Sequence, residues 1–198
     1  MTDAPSPPPH PRAVLAEIDP AAPLWVFGYG SLLWNPEIDV AERAPALLEG
    51  YHRSFCMRSV HHRGSEEAPG LVLALDEGQA ASCEGLALRA RPGTEAEALA
   101  ALRARELISS AYVERLVPLS LTDGRQVRAL AYVIERAHPQ YCGGMPLEEQ
   151  ARIIARAEGG RGPNAEYLFN TVAHLEEIGV QDGELDWLAA RVRALARS

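Results

Sequence analysis

The chain of 198 residues contains no lysine; all nineteen of its lysine-plus-arginine positions are arginine. That absence removes the amine required for Schiff-base catalysis and the lysine with which a P-loop grips phosphate. Cysteine is scarce. Cys56, Cys83 and Cys142 are odd in number, widely spaced and in no C-x-x-C pair, so neither a disulfide framework nor a zinc knuckle is expected, and a reducing cytoplasmic setting fits best. No run of eighteen apolar residues occurs, and the first twenty-odd residues show no cationic start followed by an apolar stretch. A chain that is neither secreted nor membrane-spanning is expected. Positive charge is in the minority, with nineteen cations against twenty-seven acidic residues and a formal net charge of −8. Such a chain repels phosphate backbones, which disfavours nucleic acid as a partner and moves small molecules to the front. Metal-ligand spacing is also missing. His52, His61, His62, His138 and His174 form no H-x-x-x-H or H-E-x-x-H, and they read as loop and surface histidines.

What is present suits one domain with a real core, since 47% of the residues are hydrophobic and 23% charged. Residues 1–23, with Pro7, Pro8, Pro9 and Pro11, read as a flexible proline-rich arm, and residues 24–198 as the domain. Leu24-Trp25-Val26-Phe27 is a buried strand running into the tight loop Gly28-Tyr29-Gly30-Ser31. Further strands are expected over 50–58, 70–75, 84–90, 111–119 and 127–134, the last two joined by a hairpin at Thr122-Asp123-Gly124-Arg125. Thr94 and Glu97 form a capping box that opens a helix ending near Glu106. Later helices are expected over 147–158, closed by Gly159-Gly160; over 164–178, capped by Asn164 and stopped by Gly179; and over 184–196. Six strands, one internal helix and a helical C-terminal third make the fold α+β rather than a doubly wound sheet.

Several residue groups are candidates for chemistry. The backbone N–H groups of Gly28-Tyr29-Gly30-Ser31-Leu32 can form a nest for a carboxylate or an oxyanion. A dinucleotide reading of this loop is weak, because Leu33 stands where the third glycine belongs and Trp34-Asn35-Pro36 interrupts the helix. Ser31 is not in G-x-S-x-G, so no nucleophile elbow is indicated. Glu106 ends its helix, where the dipole disfavours a carboxylate; shielding from water would raise its pKa toward that of a proton shuttle, while Arg103 and Arg105 push the other way. Arg53, Arg58 and Arg63 are either a cation source for an anionic ligand or a solvated strand face. Cys56 beside Phe55 reads as core rather than nucleophile. Tyr167 lies on an amphipathic helix where an aromatic is usually core.

In order along the chain, Val26-Phe27-Gly28-Tyr29-Gly30-Ser31-Leu32, Trp34-Asn35-Pro36, His52-Arg53-Ser54-Phe55-Cys56, Arg63-Gly64, Arg105-Glu106 and Asn164-Ala165-Glu166-Tyr167-Leu168 resemble the ChaC family of γ-glutamylcyclotransferases from about Trp25 to Ile178. The resemblance implies a γ-glutamylcyclotransferase-like fold, a small mixed β-barrel with flanking helices. It also implies cleavage of glutathione to 5-oxoproline and Cys-Gly without a cofactor. By the same likeness Val26, Phe27, Gly28, Tyr29, Gly30 and Ser31 are the substrate-binding loop, Glu106 is the catalytic acid/base, and Tyr167 lies near the pocket. Two positions depart from the pattern: Leu71 follows Pro69-Gly70 where the family usually has arginine, and Leu88-Arg89 replaces Tyr-Arg. The rival expectations are a cyclotransferase for other γ-glutamyl amines or amino acids, a non-catalytic regulatory binding protein, and a nucleotide binder.

Overall fold

The computed structural model describes residues 18–19 and 22–197, so the arm expected over residues 1–23 lies almost wholly outside the described residues. The first apolar run forms β1 (Trp25–Gly28), buried at every position. β2 (Val40–Ser59) and β3 (Gly70–Ala90) are far longer than the strands expected over 50–58, 70–75 and 84–90. The register explains the difference. Glu49 pairs with Ser82 and Tyr51 with Glu77, so Gly50 alone stands opposite residues 78–81. This is a bulge, with Gly50 at φ +82° and Ala80 at φ +57°, and it lets each strand bend round the barrel without ending. The bulge residues lack the apolar alternation of a strand, which is why the sequence shows only the flanks.

α1 (Glu95–Glu106) follows, and then β4 (Tyr112–Leu121) and β5 (Gln126–Ile134) form the expected hairpin, turned by Gly124 at φ +91°. The strand order β1-β3-β2-β4-β5 closes into a barrel. Parallel pairings of Val26 with Leu130 and of Leu75 with Val133 seal it, which gives the mixed sheet its mixture. Phe27, Leu48, Leu75, Leu88, Leu119 and Leu130 are among the fully buried side chains.

The C-terminal third carries α2 (Leu147–Ile154), a two-residue ribbon of β6 (Glu158–Gly159) and β7 (Gly162–Pro163), α3 (Asn164–Glu177) and α4 (Gly183–Leu195). The helix expected over 147–158 therefore stops early. Gly159 packs where a Cβ would lie 2.4 Å from the Gly64 nitrogen, so its backbone belongs to the ribbon rather than to a helix cap. Buried Leu185, Leu188, Ala189 and Val192 give α4 its inward stripe. Gly179 at φ +78° ends α3 as expected, with the Val180 amide donating to the Leu175 carbonyl at 2.9 Å.

Two expected caps are corrected. The Thr94 hydroxyl donates to the Arg91 carbonyl at 2.9 Å instead of accepting from the helix, and Glu95 rather than Glu97 reaches back, to the Gly93 amide at 2.7 Å. Asn164 is the first helical residue, not the cap; the preceding position is Pro163. Its buried amide faces β3, accepting from the Leu71 N–H at 2.7 Å and donating to the Leu71 carbonyl at 2.7 Å. A residue with both a donor and an acceptor satisfies both backbone groups of one strand residue.

Candidate active site

A cavity opens at one end of the barrel, where the loop after β1, the end of β2, the start of β3, the α1–β4 junction and α3 converge. The Gly30–Ser31 turn is part of its lining. A short 3-10 turn, Ser31–Leu33, begins there, with the Leu33 amide donating to the Gly30 carbonyl at 2.9 Å; the first N–H groups of such a turn have no partner within it. Gly30 is required by proximity: a Cβ would stand 3.0 Å from the Tyr167 hydroxyl.

Glu106, the last residue of α1, lines the same cavity. Its side chain is only 16% exposed, and Oε1 lies 2.9 Å from Nε of Arg105. Burial raises the carboxyl above its usual range, and the nearby Arg105 and Arg161 guanidiniums pull it partly back. Arg105 is a junction of the site. It donates to the Ser31 hydroxyl at 2.6 Å and to the Asn35 carbonyl, and approaches Glu37 at 3.6 Å. The glycine turn and the carboxylate are thereby fixed to each other through one planar cation.

Aromatic residues build the rest. The Tyr29 hydroxyl donates to the Tyr132 carbonyl at 2.9 Å, and the Tyr112 hydroxyl to the Leu73 carbonyl at 3.0 Å. Tyr167 accepts from the Leu73 N–H at 3.4 Å and packs against Trp34 and Phe55, with ring centroids 5.8 and 6.0 Å away. Burial pushes all four phenols, Tyr29, Tyr112, Tyr132 and Tyr167, up from their usual value. They remain neutral donors at any physiological pH. Arg63 crosses the Tyr167 ring at 5.8 Å while donating to the Pro163 carbonyl at 3.0 Å.

The model of the family described as ChaC-like protein matches residues 24–195. The chain belongs to the ChaC-like family. Among curated relatives, it is 38% identical over 183 residues to the glutathione-specific γ-glutamylcyclotransferase of Escherichia coli (strain K12), covering 92% of this chain and 78% of that one. It is 34% identical over 179 residues to the human glutathione-specific γ-glutamylcyclotransferase 1, covering 89% and 80%. The crystal structure of the yeast γ-glutamyl cyclotransferase specific to glutathione superposes with a TM-score of 0.80 at 22% identity, over 87% of this chain and 96% of that one. The fold is thus that of the γ-glutamylcyclotransferases.

In this ChaC-like protein the structure brings Tyr29, Gly30, Ser31, Tyr167 and Glu106 together around one cavity. Val26, Phe27 and Gly28 stay in β1; Val26 and Phe27 are fully buried and carry the loop to the cavity without lining it. Arg53 is likewise not on the wall but behind it, donating to the Tyr29 carbonyl at 2.9 Å and to Asp182 at 3.0 Å. Leu71 and Leu88, where the sequence departs from its family, are fully buried and off the wall. Sequence reasoning missed Tyr112, Tyr132 and Arg161, each lining the cavity but outside the motifs, although Tyr112 follows Glu106 by six residues and Arg161 precedes Asn164 by three. His61 and His62, expected at the surface, line it as well. His62 is half-buried, and its imidazole is held below the usual range by burial and then by Arg161. The adjacency of Arg63-Gly64 to the two histidines is the signal that could have placed them.

Proposed function

We propose that this protein cleaves glutathione by intramolecular cyclisation, releasing 5-oxoproline and Cys-Gly. The observation that carries the reading is a shielded carboxylate, Glu106, that shares one cavity with a glycine turn and, among the described residues, is the only acidic side chain lining it. An acidic chain that gathers Arg63, Arg105 and Arg161 at one cavity is built for an anionic ligand. Glutathione brings two carboxylates.

The substrate carries its own nucleophile. Its α-amine attacks the γ-carbonyl carbon, the bond to the cysteine nitrogen breaks, and a five-membered lactam remains; no water is consumed. Effective molarities for well-held intramolecular attack are on the order of 10⁵ M or more, so folding the glutamyl chain back is the main task. The buried turn and the Tyr167 wall suit that task. Two protons leave the attacking nitrogen, and the departing amine regains them as an ammonium; a carboxylate between the two nitrogens passes them in turn. Glu106 is that carboxylate. Its raised pKa brings base strength closer to neutrality, and Arg105 keeps it ionised and aimed.

A cytoplasmic location goes with this reading. The three cysteines are free, a state that a reducing compartment maintains. Among the described residues no helix is long and apolar enough to cross a membrane.

The test is Glu106→Gln, which keeps shape and removes the base. Release of 5-oxoproline from glutathione should fall by roughly 10² or more. The sign of the pH dependence follows: the ionised form is the base, so wild-type kcat falls as pH drops through the raised pKa, above the range of an ordinary glutamate. That acid limb should be missing from the residual rate of the variant. Near-normal turnover by Glu106→Gln, or the same acid limb in both proteins, would reject the role of Glu106. Parallel assay of γ-glutamyl-alanine separates a glutathione enzyme from a broader cyclotransferase.

A further inference from the structure

The glycine turn and Glu106 engage only the glutamyl half of a tripeptide, which leaves the carboxylate at its other end to be accounted for. Among the described residues three guanidiniums line the cavity, those of Arg63, Arg105 and Arg161, and two are already engaged. Arg105 is shared among Ser31, Asn35 and Glu106. Arg63, only 11% exposed in its side chain, is bonded to Pro163, lies 3.5 Å from Glu166 and covers the Tyr167 ring. Arg161 differs. Its side chain is 46% exposed, and its ion pair is a long one, 3.9 Å to the Oε1 of Glu37 that Arg105 also approaches.

The base of Arg161 is firmly held even though its tip is loosely engaged. It sits in the turn of the β6–β7 ribbon beside Gly162 at φ +93°. Its amide donates to the His62 carbonyl at 2.8 Å, and the Gly160 amide to the His61 carbonyl at 2.9 Å. Gly159 rests against the Gly64 backbone. The ribbon therefore presents a permanent cation at the cavity rim from a fixed backbone, and the neighbouring His62 is neutral and adds no charge of its own. A guanidinium in that state matches a carboxylate in a bidentate fashion.

We infer that Arg161 pairs with the terminal glycine carboxylate of glutathione and so determines the preference for a substrate with a free carboxylate at that end. The inference rests on the reading of the chain as a glutathione cyclotransferase. It makes Arg161 a specificity residue whose contact with substrate is read in KM, whereas its pull on the Glu106 carboxyl acts on kcat for every substrate alike.

The experiment compares glutathione with its glycine monoethyl ester, using wild type, Arg161→Gln and Arg156→Gln. Arg156 is an exposed residue off the cavity wall, and its variant removes the same charge from solvent. For wild type the ester should show a KM about tenfold higher than the acid, the size of a charged hydrogen bond discounted for exposure. In Arg161→Gln the KM for glutathione should rise by about that factor and the KM for the ester should stay put, while any change in kcat, from the lost pull on Glu106, should be the same for both substrates. Arg156→Gln should keep the wild-type preference. Arg161→Gln that still favours the acid over the ester as wild type does would overturn the assignment, as would a KM rising equally for both substrates. Failure of the wild type to turn over either compound would overturn the functional reading and the assignment with it, and is told apart because it needs no variant.

Discussion

At Gly30 the absence of one carbon decides how close the loop and α3 can come. A Cβ there would meet the Tyr167 hydroxyl at 3.0 Å, with Leu73 the next neighbour at 3.8 Å. Gly30→Ala should therefore destabilise the protein by about 1–2 kcal/mol, as overpacking does, and raise the KM for glutathione. Removing the obstructing oxygen relieves the strain. Gly30→Ala combined with Tyr167→Phe should unfold at a denaturant concentration higher than the sum of the two single effects predicts. Strict additivity in that cycle would place the clash elsewhere. Glu106 and Arg105 follow the same logic of mutual dependence: adjacent in the last turn of α1, their side chains meet at 2.9 Å.

α3 is held to the barrel by two polar residues on one face, Asn164 and Tyr167, which bond to Leu71 and Leu73 of β3. Asn164 is fully buried, and each backbone group it serves would otherwise be buried without a partner. Asn164→Ala should cost about 2–4 kcal/mol in equilibrium unfolding, since each orphaned group costs about 1–3 kcal/mol. A loss below about 0.5 kcal/mol would mean that water replaces the side chain. Here the sequence misleads in an instructive way. Asparagine before an amphipathic run reads as a cap, and only the fold shows its amide turned to a strand 93 residues earlier. The helices themselves were legible, because their apolar stripes are local. The turn at Thr122–Arg125 was legible for the same reason. The continuity of β2 and β3 was not, since alanine, Pro45 and the bulge opposite Gly50 dilute the alternation. The glycine turn and Glu106 stood out by their motifs, whereas Tyr112 and Tyr132 reach the cavity through the β4–β5 hairpin of the barrel and Arg161 through the docking of the β6–β7 ribbon on the His61–His62 backbone.

Over the whole molecule, the buried carboxylate sets stability against activity. The pKa of Glu106 is raised in the folded state above its ordinary value of 4.5, chiefly by burial. A carboxyl raised on folding contributes its full stability below the unfolded value, and that contribution is lost as pH rises through the folded one. The ionised form needed as a base is therefore the form the fold tolerates less well. Glu106→Gln should melt at a higher temperature than wild type near about pH 7.5, and the advantage should shrink near about pH 4, where both side chains are uncharged. An advantage that is absent at the higher pH, or equal at both, would show that Arg105 fully offsets the burial.

Arg53 ties distant parts of the chain behind the cavity. It holds Asp182, which also caps α4 by accepting from the Leu185 amide at 3.2 Å, and it holds the carbonyl of Tyr29. The tail of the polypeptide is thus a brace for the mouth of the barrel. A homologue trimmed before residue 182 would retain every side chain that faces the ligand and yet present a slack lining to it, so drift at the C-terminus of such chains would surface as lost turnover and not merely as lost length.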